Sequence, residues 1–285
     1  MTRRDDEFEP MPLDPRVERA VLWLRNHVPG AEPALIALER ETTAGGTLIA
    51  GGLAYRFFLW LLPFSLVLAS LASFWEQEDP KGLESSAQDF GLSESAAQSM
   101  RQAVEQSSHS RWYLLGFGLV FLLWFAIGVA RALRLAHTVA WGVRRERFRR
   151  PIHGGLLFTL FAVALIVVTA AGQWFREQLG TAGLVVTLCL VVVYAAGALW
   201  MMLLLPHGDA PWTALVPGAV LVGLGVQGLH LFATLYLVPK IGRTSELYGA
   251  LGTATVILLW LYIIARLITL SAFLNATLWE RRARG

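Results

Sequence analysis

Two arginines lie where charge is expensive, and they are the strongest chemical signal in the chain. Arg56 and Arg266 each border a 19-residue run without Asp, Glu, Lys or Arg, residues 57–75 and 247–265. With entry near Leu48 and exit near Leu274, each sits eight residues from the same membrane face, about 12 Å deep at ~1.5 Å per residue. The spans supply no Asp or Glu to neutralise them. An intramembrane arginine costs about 2.5–3.5 kcal/mol on insertion scales and normally faces a cavity or a partner. That points to recognition of an anion. Gln227, His230 and Thr234 share one helical face, and Tyr262, Arg266 and Thr269 share another, so these groups could line the same route, with Asn275 beyond them. The competing reading is structural. Both arginines could snorkel to the interface and set helix depth, and Arg56 could stack on Trp60 one turn on.

The elements that must position them are six uncharged runs: 57–75, 112–130, 151–175, 178–208, 210–239 and 247–265. About 20 apolar residues in a helix cross the ~30 Å hydrocarbon core, so each run is long enough. Mean hydropathy is +0.52 and charged residues are only 16%, where a soluble domain carries about 25%. The expected fold is all-α: a polytopic membrane protein with six transmembrane helices in one bundle and N-terminal interfacial helices. The spans are expected at about 48–74, 112–130, 154–174, 181–205, 214–238 and 248–275, within a domain covering 47–279. Pro63 should kink the first span, because it removes a backbone hydrogen bond.

Charge placement orients the bundle. Sixteen Lys and Arg residues lie in the N-terminal arm, the 131–154 loop and the C-terminus, against six on the alternate side. The positive-inside rule then puts both termini in the cytoplasm. The 76–111 loop, with seven acidic and three basic residues, is expected outside. Residues 1–14 read as a disordered tail and 280–285 as a basic tail. Within 15–46, Val17, Val21, Leu24 and Val28 form one helical face and a second short helix spans about 33–41. These two either lie at the interface or pack under the bundle. In the outer loop, Ala96, Met100 and Val104 suggest a short amphipathic helix. Arg144, Arg145, Arg147, Arg149 and Arg150 form a collar that could contact anionic lipid headgroups at roughly 1 kcal/mol each. The collar could equally be a topology determinant and nothing more.

Other patterns exclude functions. Residues 223–228, Gly-Leu-Gly-Val-Gln-Gly, match a dinucleotide fingerprint but lie mid-span with no preceding strand, so close helix packing explains them. The six histidines show no metal-ligand spacing and no nucleophile elbow is present, so neither a metal nor a catalytic residue nor a cofactor is expected. Nucleic acid is not an expected partner, since no nucleic-acid-binding fold surrounds the basic cluster. The first 47 residues hold no apolar core of a cleavable signal peptide. The single cysteine, Cys189, allows no disulfide within the chain.

Motifs in the C-terminal third carry a resemblance. Pro206, Trp212, Pro217-Gly218-Ala219, Leu247-Tyr248-Gly249-Ala250-Leu251-Gly252, Leu259-Trp260-Leu261-Tyr262 and Leu274-Asn275-Ala276 resemble the YihY/BrkB family. Leu53-Ala54-Tyr55 followed by Pro63 adds to it, so the resemblance covers roughly residues 35–280. It implies a bacterial inner-membrane protein, linked by name to serum resistance and by suggestion to lipid transport. The family's old label, ribonuclease BN, is a misassignment that nothing in this sequence supports. Where the family's pattern has Gly-Ala-Glu before Leu-Asn-Ala, this chain has Ser271, Ala272 and Phe273, so an intramembrane acid is missing.

The reading that follows is a non-enzymatic membrane protein that moves or flips an anionic lipid or lipid-like substrate, with membrane lipids as its partners. Arg56 and Arg266 would hold the headgroup in one shared cavity; Gln227, His230, Tyr262 and Asn275 would line the route. The alternative is a non-transporting scaffold or regulator of the envelope, whose polar residues serve packing.

Overall fold

The computed structural model describes residues 31–75, 111–143, 151–179, 183–232 and 238–284. Within these it is all helix: α1 (Ala31–Thr43), α2 (Gly46–Trp75), α3 (Arg111–Ala140), α4 (Pro151–Leu179), α5 (Gly183–Leu203), α6 (Trp212–Phe232) and α7 (Val238–Arg284). All but α1 are long and apolar enough to cross a membrane. Each spanning helix packs on the next in sequence, and α7 returns to pack on α2, which closes a ring of six. The main apolar core runs along the α2–α3 seam through Leu53, Phe57, Trp60, Ala126 and Val129. Phe158 of α4 joins it, stacked on Phe57 with ring centroids 5.8 Å apart and edge-on to Trp60 at 5.2 Å.

The outward faces are apolar too. Leu48, Tyr113 and Trp124 are 83%, 83% and 73% exposed, which water would not tolerate over so large a surface but lipid does. Trp112, Tyr113, Trp174 and Phe175 gather exposed at one end of α3 and α4, as aromatic residues do at a membrane boundary.

Two helices outrun their apolar stretches. Residues 131–140 continue α3 instead of opening the loop, because Ala132, Leu133, Arg134 and Ala136 are strong helix formers. The helix stops at Gly142, whose φ of 61° turns the chain left-handed. Val143 N then bonds Thr138 O at 3.1 Å and Gly142 N bonds Val139 O at 3.3 Å, a Schellman closure. At the other end of the chain, α7 runs for 47 residues and absorbs 238–247 and 276–284 beyond the expected span. Pro239 falls in its first turn, where a missing N–H does no harm. Pro63 sits inside an uninterrupted α2. The expected helices at 15–28 and 96–104, the Arg144–Arg150 collar and Thr234 lie outside the described residues.

Six crossings place the start of α2 and the end of α7 on one side of the membrane. Reporter fusions after residues 140 and 285 are therefore expected to read cytoplasmic, and one after residue 90 external. An external signal at 140 or 285 would overturn the topology.

Candidate functional site

Arg266 is neutralised from outside the spans. Glu41, near the end of α1, is fully buried, and its Oε2 lies 2.9 Å from Arg266 Nη2. Arg266 Nη1 also donates to Thr47 Oγ1 in the first turn of α2. The turn between α1 and α2 makes room for this. Gly45 takes a φ of 72°, and a Cβ on Gly46 would meet Glu41 Cγ at 2.5 Å and Oε1 at 2.6 Å. Burial raises the Glu41 pKa above the ordinary 4.5, while the Arg266 guanidinium pulls it down. A half-buried pair, Arg40–Glu280 at 2.8 Å, and an exposed one, Arg281–Glu32 at 3.2 Å, also tie α1 to α7. The expectation of an uncompensated Arg266 is thus corrected: the arm folds its own carboxylate inward.

Arg56 goes elsewhere. It is exposed, and its Nη1 donates to Gly128 O of α3 at 3.2 Å. Thr47 precedes it by nine residues, about two and a half helical turns at ~3.6 residues per turn, so the two arginines engage opposite sides of α2. The shared cavity expected for them is not formed.

The remaining sequence-picked residues are also dispersed. Asn275 is buried, with Oδ1 accepting from Gly218 N at 2.7 Å and Nδ2 donating to Leu215 O at 3.1 Å and to Met202 Sδ at 3.5 Å. It grips α6 beside Pro217, whose ring disturbs the preceding turn of backbone hydrogen bonds. Both amide hydrogens are therefore spent on packing. His230 Nε2 bonds the Gln173 amide of α4, a partner the sequence reading missed. Gln227 is buried in α6 with neither amide atom bonded among the described residues. Tyr262 packs, half-buried, against the α2–α3 core. Two of the three dinucleotide-like glycines pack: a Cβ on Gly223 would meet Val191 O at 2.8 Å and one on Gly225 the Leu267 side chain, whereas one on Gly228 would meet nothing within 4 Å.

A partly open space lies inside the ring. A cavity of about 130 Å³ takes a side chain from each span, among them Phe57, His137, Phe158, Tyr194, Val226 and Ile268. Its walls are apolar apart from two polar side chains. Tyr194 Oη shares a hydrogen bond with Thr169 Oγ1 at 2.9 Å. His137 is 1% exposed; its Nδ1 sits 3.1 Å from Leu133 O, and its Nε2 has no partner among the described residues. A second cavity of about 250 Å³ opens between α3, α4 and the end of α5, with Arg134 and His153 in its wall. Leu133, Phe158, Met201 and Leu205 border both spaces and partition them. None of Arg56, Gln227, His230, Tyr262, Arg266 and Asn275 lines either one.

A closed ring of six apolar helices around an internal chamber defines a polytopic α-helical membrane protein. Among the described residues, no three His, Cys, Asp or Glu side chains group so as to hold a metal ion. The chain belongs to the family described as virulence factor BrkB, whose model matches residues 37–285, and its setting is accordingly a bacterial inner membrane. The match takes in both Glu41 and the contact between Pro217-Gly218-Ala219 and Leu274-Asn275-Ala276. Phe273, where the resemblance implies an acid, is fully buried in a cluster with Ala140 and Ala272. The chain is similar to the putative ribonuclease-like protein YfkH of Bacillus subtilis (strain 168), 23% identical over 271 residues, covering 86% of this chain and 94% of that protein. No solved structure matches.

Proposed function

We propose that this protein carries an anionic, lipid-like amphiphile through the interior of its helical ring. The observation that supports this reading is the chamber to which all six spans contribute. Any relative movement of the spans reshapes it, so the space is coupled to the whole bundle. At about 130 Å³ it is smaller than the ~300–1,000 Å³ of sites that enclose drug-sized ligands. As it stands it admits part of one chain, and passage requires the spans to part.

In this reading Glu41 and Arg266 hold α1, α2 and α7 together while the ring opens on the α3–α4–α5 side. Arg56, exposed at the α2–α3 seam, offers headgroups a contact on the lipid face. The Arg144–Arg150 collar enriches anionic lipid near the cytoplasmic surface. The ribonuclease-like name of the relative is not carried over. Of the histidines, His137 is enclosed in the bundle, His230 is bonded to Gln173 and His207 Nδ1 to Leu205 O.

Proteoliposomes holding a fluorescently labelled single-chain anionic lipid, lysophosphatidylglycerol, provide the test. The wild-type protein is expected to speed movement between leaflets. Ala198→Trp, which fills the chamber wall, is expected to slow it at least tenfold, and Arg144→Ala to retain it. Unaccelerated movement of anionic lipids, or full activity in Ala198→Trp, would sink the proposal.

A further inference from the structure

The cavity between α3, α4 and the end of α5 carries a more specific assignment, which rests on the chamber reading above. We infer that this vestibule binds the head of a single-chain anionic amphiphile, of the lysophosphatidate type, whose chain enters the chamber. The argument starts from where polar and apolar groups fall. Arg134 and His153 stand at the mouth, one from α3 and one from the first turn of α4. Gly154 beside them leaves the backbone of that turn uncovered by a side chain, and the first N–H groups of a helix favour an anion. The mouth reaches the surface: His153 is exposed, and Leu157 and Leu204 are 39% and 47% exposed.

Behind the mouth the lining turns apolar. Among the described residues, Leu133, Phe158, Met201 and Leu205 line both cavities, and all four are side chains that can rotate aside. Methionine adapts with little strain, which suits a partition that must admit a chain. The order from outside inward is therefore cation, hydrocarbon partition, hydrocarbon chamber. That is the profile of an amphiphile with one chain, because the chamber has room for no second.

The experiment is binding of a fluorescent-chain lysophosphatidate to the full-length protein in detergent, with the monoacylglycerol of the same chain as a neutral control and inorganic phosphate as competitor. Wild type is expected to prefer lysophosphatidate by about tenfold, the scale of one charge-assisted contact. Arg134→Gln and His153→Gln should erase that preference while leaving the neutral control bound, and Arg134→Lys should keep most of it. Ala198→Trp should lose both ligands. An unaltered preference in Arg134→Gln and His153→Gln would overturn the headgroup site, yet leave the chamber standing if Ala198→Trp still abolishes binding. Displacement by inorganic phosphate alone would overturn the amphiphile and leave a plain anion site. Full binding of both ligands by Ala198→Trp would instead refute the chamber.

Discussion

Replacing Gly218 by alanine is expected to destabilise the ring by about 3 kcal/mol, near the top of the range for overpacking. The added Cβ would stand 2.5 Å from Asn275 Nδ2 and 2.6 Å from Ser271 O. A side chain can rotate away, but the Ser271 carbonyl is backbone, so α7 as a whole must move off α6. Asn275→Ala attacks the same contact from the other side. It removes the contacts that Asn275 gives to Gly218 N–H and Leu215 C=O, both buried beside a proline-weakened turn. Unsatisfied buried groups cost about 1–3 kcal/mol each, but polar contacts between membrane helices average only ~0.6, so about 2 kcal/mol is expected. Asn275→Asp should do no better at neutral pH, because a carboxylate can accept from Gly218 N–H but faces Leu215 O with a second acceptor. Thermal unfolding in detergent checks all three. Wild-type melting in Gly218→Ala would mean that the two helices do not meet as described.

That contact shows what the sequence could and could not convey. The helices were legible because lipid leaves backbone groups no partner but each other, so each span had to appear as an uncharged run. Their ends were less so. Nothing in a hydropathy pattern stops α3 at residue 130 when Ala132 to Ala136 favour helix, and the helix carried Arg134 and His137 out of the presumed loop and into cavity walls. Asn275 was legible as unusual, a polar residue among apolar ones, but its use depended on Pro217 lying opposite it. Arg266 was also legible as needing a partner. Its partner lies outside the spans, since Glu41 reaches it from the preceding helix through two glycines. Gly45-Gly46 directly after a helix ending in a carboxylate was the available signal. Arg134, His153 and His137 lie on two helices whose packing no spacing rule reports.

Removing the Glu41 carboxylate is expected to have the other large effect. Breaking a buried ion pair costs about 3–5 kcal/mol when one charge is left behind. Arg266 retains 27% of its side-chain exposure and its bond to Thr47, so Glu41→Ala should fall near the low end, roughly 3 kcal/mol. Gly46→Ala offers an independent route, since its Cβ would occupy the space of Glu41 Cγ and Oε1 and expel the carboxylate with both charges intact. Pairing Glu41→Met with Arg266→Leu should recover most of what either single change loses, because the lone buried charge is gone. The sign of the pH dependence follows from burial. Glu41 binds its proton more tightly folded than unfolded, so its contribution to stability is full below about pH 4.5 and declines as pH rises through the raised value. Glu41→Gln carries no such titration. The melting temperature of wild type relative to Glu41→Gln should therefore be highest in acid and fall toward neutral pH. Limited trypsin digestion gives a local readout at Arg40, which should be cut faster in Glu41→Ala and Gly46→Ala than in wild type. Strictly additive losses in the Glu41→Met, Arg266→Leu pair, with unaltered cutting at Arg40, would show that the buried pair does not hold α1 against α7.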